Sequence, residues 1–138
     1  MTTRDLAEAY LEIARRRLDL LAALRAQQAW DDVVRFAQEA VELALKAFLR
    51  HVGVDPPKAH DVAAALREAA SRLPEPAASR CEEFARTSSA LAASRGPAFY
   101  GDEAAGIPPS RLFGATEADR AEALARSVVE AVGGIVGK

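Results

Sequence analysis

The segment WDDVVRFAQEAVELALKAFLRHVG confines its polar residues to one narrow stripe, Arg35, Gln38, Glu39, Glu42, Lys46 and Arg50, and between Val33 and Leu49 everything else is Val, Phe, Ala or Leu. A helix that is apolar around most of its circumference has to be surrounded by protein. The segment is therefore expected to be a central helix, packed on at least two sides. Asp31 or Asp32 is the expected N-terminal cap, because a carboxylate accepts from free N–H groups at the positive end of the helix dipole. Gly53 is the expected left-handed stop. The remaining chain must supply helices to cover this one. With 138 residues, half of them apolar, it suits a single domain spanning 1–138.

The covering helices follow from periodicity. The first is expected from about Thr3 to Leu24, with Leu6, Tyr10, Ile13, Leu20 and Leu24 as its inward stripe, Arg17 the one interruption of that spacing, and Arg15-Arg16-Arg17 as solvated surface. After the stiff connector VDPPKAHD comes a short helix burying Val62, Leu66, Ala69 or Ala70, and Leu73, closed by Pro74 and Pro76. A fourth helix spans about Ala77 to Ser94 with Cys81, Phe84, Ala85, Ser88, Leu91 and Ala92 inside. A capping box of Thr116 and Asp119 should open the last helix, which carries Ala121, Leu124, Ala125, Val128, Val132 and Ile135 and should fray at Gly133, Gly134 and Gly137. No strand pattern or repeat appears. The expected architecture is an all-α, up-and-down antiparallel bundle of four long helices plus one short helix.

An irregular, ordered loop is expected at about 96–115. It carries Pro97, Pro108 and Pro109 yet also Phe99, Tyr100, Ile107, Leu112 and Phe113. A connection of that length is usually functional or disordered, and this much apolar surface argues against disorder. Next to it, the buried stripe Ser88, Leu91, Ala92 extends to Arg95. A guanidinium cannot shed its proton, so an inward arginine must meet an anion or reach water. The plainer alternative is that Arg95 covers the last carbonyls of its helix. With Tyr100, Asp102 and Glu103 beside it, the combination suits an anion-binding cleft. His60, just ahead of the short helix, reads as a cap or a packing residue, and Lys58 as a solvated turn lysine within reach of a phosphate. Glu42 and Lys46 read as an ordinary surface pair.

Several functions lack a signature. The formal charge of −2 advertises no global nucleic-acid field, though a local basic patch remains open. The histidines are His51 and His60, with no metal-ligand spacing, so neither a metal nor a cofactor is expected. A single cysteine, Cys81, fits a reducing compartment. The start MTTRDLAEAYLEIARRR carries acids and no leader-like apolar run, and no stretch has membrane-span length. The expectation is a soluble cytoplasmic protein without membrane contact.

The run DDVVRFAQEAVELALKAFLRHVGVDPPKAHDV, the stretch ALAASRGPAFYGDE and the final amphipathic helix together resemble the HEPN family, a nucleotide-binding helical domain. AQEAVELALKAFL and the following Lys58, His60 and Asp61 carry most of the likeness. The resemblance implies a helical bundle, usually a homodimer. It implies two broad roles: metal-independent endoribonuclease, often a toxin, or partner of a small nucleotidyltransferase in a toxin–antitoxin-like pair. The ribonuclease motif is an arginine, four to six residues, then histidine. Arg95 matches the arginine; Tyr100 stands where a histidine would, and no histidine follows His60. A phenol with an ordinary pKa of about 10 is a poor base at neutral pH. The resemblance therefore favours a nucleotide- or RNA-binding module, with Arg95, Tyr100, Asp102, Glu103, Lys58 and His60 as candidate ligand-binding residues and no catalytic residue assigned. The alternatives are a ribonuclease with a degenerate motif and a non-catalytic protein-interaction domain.

Overall fold

The computed structural model describes residues 3–137 and is helical almost throughout. The helices are α1 (Thr3–Asp19), α2 (Leu21–Ala26), α3 (Trp30–His51), α4 (Ala63–Ala69), α5 (Cys81–Tyr100), α6 (Pro109–Leu112) and α7 (Ala115–Val136). Short 3-10 turns at Ala70–Arg72 and Ala78–Arg80 join α4 to α5. The long helices α1, α3, α5 and α7 form the bundle, and α3 packs against each of the other three. Side-chain pairs fix the directions. Arg17 meets Glu39 while Arg50 meets Tyr10, so α1 and α3 are antiparallel. Arg95 meets Gln38 while Phe99 meets Arg35, so α5 is antiparallel to α3. Arg80 of the turn before α5 meets Ser127, whereas Leu91 and Ser94 share a groove with Glu117 and Ala121, which sets α7 antiparallel to α5. The up-and-down bundle follows, with α3 at its centre.

The burial of α3 explains that position. Val33, Val34, Ala37, Ala40, Val41, Ala44, Leu45, Ala47, Phe48 and Leu49 are all buried. Its stop is the expected one: Gly53 has φ +83°, the Val54 N–H donates to the Leu49 carbonyl at 2.8 Å and the Gly53 N–H to Arg50 at 3.0 Å. Those two bonds satisfy carbonyls that the helix end would otherwise leave bare. Asp31 and Asp32 do not cap the other end; both lie in the first turn, after Ala29, where they still favour the dipole.

Other expectations need correction. The innermost face of α1 is Ala7, Leu11, Ala14 and Leu18, continued by Leu21 of α2. The predicted stripe lies one position away; Leu6, Tyr10, Ile13 and Arg17 are half-buried, and Leu20 is exposed at the junction of the two helices. Small alanines at 7 and 14 let α1 approach closely, which hydrophobicity alone does not reveal. The helix containing Arg95 does not end at Ser94: α5 runs through Gly96 and Pro97 to Tyr100. Proline forfeits a bond to the Ala93 carbonyl but needs to sustain only one more turn. Ala98 is buried on the bundle, and Phe99 seats on the Arg35 guanidinium at 4.5 Å, so that turn is held.

The irregular connection is thus shorter than expected and begins at Gly101. Asp102 and Ile107 pair as an isolated antiparallel bridge, with N–H···O distances of 2.8 and 3.0 Å, and α6 follows. The cap of α7 is not Thr116 with Asp119; the Gly114 N–H donates to Glu117 Oε1 at 2.8 Å. The final glycines do not end the helix early either. Val132 and Val136 are buried, and α7 persists to Val136.

Candidate functional site

The polar stripe of α3 is not a wet face. It runs beneath α1, the loop before α4, and α5, and from Arg35 to Lys46 its members are tied into one network, while Arg50 pairs separately with Asp55. Gln38 is 2 % exposed. Its Oε1 accepts from Arg95 Nη1 at 2.8 Å and its Nε2 donates to Glu42 Oε1 at 3.0 Å. Glu39, at 18 % side-chain exposure, accepts from Arg17 at 2.9 Å and Arg95 at 3.3 Å and lies 3.4 Å from Arg35 Nε. Arg17 is accordingly not part of the solvated surface. Glu42 also receives Lys46 at 2.9 Å and meets His60 Nδ1 at 2.8 Å. The Glu42–Lys46 pair is largely buried, which corrects the surface reading. Burial pushes the Glu42 carboxyl upward, but hydrogen bonds from Gln38, Lys46 and His60 outweigh it and hold the group below the usual carboxylate range.

Three members of this network, Arg35, His60 and Arg95, wall a cleft of about 390 Å³ together with Ala92, Gly96, Phe99 and Tyr100. Arg95 retains 27 % side-chain exposure, so it faces the cleft rather than bulk water or its own helix end. Arg35 and Arg95 of the cleft wall share the Glu39 carboxylate with Arg17, which lies outside that wall, so the two wall guanidinium groups carry more charge than this one carboxylate offsets. Phe99 and Tyr100 stand at the rim, 51 % and 64 % exposed, in edge-to-face contact with ring centroids 4.6 Å apart. Cation and aromatic groups here converge on one concavity in a chain whose formal charge is −2. A second cavity of about 440 Å³, between the Val54–Pro57 connector and α4, offers mainly alanine with Asp55, Glu68 and Arg72 and no comparable convergence.

The structure brings together three of the six candidate residues, Arg95, Tyr100 and His60. It keeps Asp102, Glu103 and Lys58 out of the cleft wall, exposed on their loops. Asp102 instead closes its own turn, accepting from the Ala105 N–H at 3.0 Å. His60 does not cap the short helix. Its neighbour Asp61 does so, accepting from the Ala63 N–H at 2.9 Å while its other oxygen takes the Ser89 hydroxyl at 2.8 Å. Sequence reasoning missed Arg35 and Glu39 as site residues. The available signal was that a polar stripe on an otherwise buried helix has to face something polar. Among the described residues no cluster of His, Cys, Asp and Glu could hold a metal ion, and no helix is long and apolar enough to cross a membrane.

Comparison with known proteins adds three findings. The family model described as HEPN domain matches residues 7–135. A solved structure, TT1696 from Thermus thermophilus, is similar to the chain with a TM-score of 0.73 and 25% sequence identity, covering 91% of this chain and 94% of that one. No curated protein matches.

Proposed function

The chain belongs to the HEPN domain family, and from that premise we propose that its cleft binds the phosphate of a nucleotide or of RNA. Arg95 supplies charge-assisted hydrogen bonds to the phosphate, Arg35 adds a second cation, and the exposed ring of Tyr100 stacks on a base. The observation that carries the reading is that the two arginines of an aromatic-rimmed cleft, Arg35 and Arg95, have to share a single carboxylate, Glu39, with a third arginine, Arg17. An anion entering there compensates charge that the protein leaves uncompensated. The exclusion of Asp102 and Glu103 from the cleft wall supports the same sign.

The proposal extends to the company such domains keep. The chain acts as a homodimer with a small nucleotidyltransferase partner, in a toxin–antitoxin-like pair. Support for self-association is the exposed Leu20 side chain at the junction of α1 and α2, which a second copy would cover. Titration of fluorescent AMP, and separately of a labelled single-stranded RNA, against the protein and Arg95→Ala tests the binding site. Affinity should fall at least tenfold on losing the guanidinium, since a hydrogen bond to a charged group contributes about 1.5–3 kcal/mol. Equal affinity of both proteins would remove Arg95 from the site.

A further inference from the structure

We propose that His60 is a proton-dependent third cation of this cleft, and that Ser88 and Ser89 of α5 are the positioning residues that latch it there, so that the protein takes up a proton when it binds an anion. The proposal rests on the phosphate-binding reading of the same cleft. His60 lines the wall beside Arg35 and Arg95 and is 56 % exposed at its side chain. It stands on the loop before α4, and a loop holds a side chain in place only where its backbone is tied to a rigid element.

The residues that follow His60 supply that tie. The Val62 N–H donates to the Ser88 hydroxyl oxygen at 2.9 Å, and Ser88 is 2 % exposed. The Ser89 hydroxyl donates to Asp61 Oδ2 at 2.8 Å, while Asp61 Oδ1 accepts from the Ala63 N–H at 2.9 Å. A serine inside the buried stripe of α5 is thereby explained, because an alanine there would leave a buried backbone donor unpaired. Arg95 lies about two turns further along the same helix. One rigid element therefore carries both the latch and the arginine, which sets His60 against the phosphate site before a ligand arrives.

Glu42 fixes the ring itself. Its Oε1 lies 2.8 Å from His60 Nδ1. The Glu42 carboxyl is held below the usual carboxylate range and is ionised near neutral pH. An ionised carboxylate only accepts hydrogen bonds, so Nδ1 carries a proton whether or not the ring is charged. In the neutral ring Nε2 then offers a lone pair, which repels a phosphate oxygen. In the charged ring it offers an N–H, which binds one. Protonation and anion binding thus favour each other by the same free energy. The charges around the ring let this act on the cleft. From α3, Lys46 at 2.9 Å already offsets Glu42, and Arg35 shares Glu39 with Arg95 of α5. Tyr100 of α5 contributes a phenol to the wall. On the ring's own loop, Asp61 is engaged by Ser89 and the Ala63 N–H, and Lys58 is exposed outside the wall. A proton on Nε2 therefore adds positive charge to the cleft instead of completing a pair with a bare carboxylate.

The experiment titrates the full chain calorimetrically with the deoxydinucleotide dTpdT, whose phosphodiester keeps one charge throughout, at about pH 8 and about pH 6, the interval in which histidine changes charge. Affinity should rise at least about threefold on acidification, the attraction of unit charges about 6 Å apart in a water-like dielectric. Near neutral pH the binding heat should vary with the ionisation enthalpy of the buffer, as proton uptake requires. His60→Gln should abolish both effects. Ser89→Ala should lose most of the pH dependence, and Ser89→Thr, which keeps the hydroxyl, should restore it. Wild-type affinity that ignores pH, binding without proton uptake, or an undiminished pH dependence in His60→Gln would overturn the role of His60 while leaving phosphate binding in place. A full pH dependence in Ser89→Ala would overturn the latch. Failure of the wild-type protein to bind dTpdT, AMP or RNA at either pH would instead remove the reading on which the proposal rests.

Discussion

Replacing Glu39 by glutamine should make the protein less stable and a better anion binder at once. The carboxylate is 18 % exposed and pairs with Arg17, Arg35 and Arg95 at 2.9, 3.4 and 3.3 Å. Exposed ion pairs contribute below about 1 kcal/mol, whereas stripping the partner from a buried charge costs about 3–5 kcal/mol. The guanidinium groups here are roughly a third exposed, so the loss should be about 2–3 kcal/mol. For a chain of this size that lowers Tm by roughly 8–12 °C. Binding should move the other way. A phosphate on the far nitrogen of Arg95 would sit roughly 8 Å from the Glu39 carboxylate, and their repulsion is about 0.5–2 kcal/mol per unit charge at effective dielectrics of about 80 to 20. Removing it should tighten AMP about 2- to 30-fold, the more so at low salt. Thermal unfolding followed by circular dichroism and calorimetric titration of AMP measure the two quantities. A destabilised Glu39→Gln protein whose affinity for AMP is unchanged or weaker would refute the claim that surplus arginine charge draws the ligand.

Two further predictions concern the frame. Gly101 has φ +76°, and a Cβ there would press on the Ile107 carbonyl oxygen that accepts from Asp102. Gly101→Ala should cost about 2–4 kcal/mol, whereas Gly53→Ala, at φ +83° with open space around it, should cost about 1 kcal/mol; similar denaturation midpoints for the two would contradict this. The Glu42 carboxyl is held below its ordinary value, so its contribution is fully present above the unfolded pKa of about 4.3 and is lost as pH falls through the lower folded value. The stability difference between wild type and Glu42→Gln in urea should therefore shrink as pH falls below about 5; a gap that widens over that acid interval would reverse the assigned sign.

Much of the fold was legible because helix periodicity is local. The near-continuous apolar surface around Val33–Leu49 demanded a central helix, the spacing of Val62, Leu66 and Leu73 placed the short one, and Gly53 marked the central helix's stop. Misreadings arose where packing chose between local options. In α1, alanines and leucines at neighbouring positions gave nearly equal stripes, and the closer approach permitted by Ala7 and Ala14 selected one. At Gly96-Pro97 local propensity said stop, but burial of Ala98 and the seat of Phe99 on Arg35 carried α5 a further turn.

The site divides in the same way. Spacing along one helix was enough to turn Arg95 inward, since residues three and four apart share a face. Spacing could not say what lay opposite. His60 and Glu42, eighteen residues apart, meet at 2.8 Å, and Arg95 meets Gln38 across fifty-seven. Local periodicity dictated a helical bundle and a guanidinium with no place in an apolar core. Packing chose Gln38 and Glu39 to receive it and set Arg35 beside it in a charged cleft, because contacts between helices depend on how whole faces meet and are written in no local period.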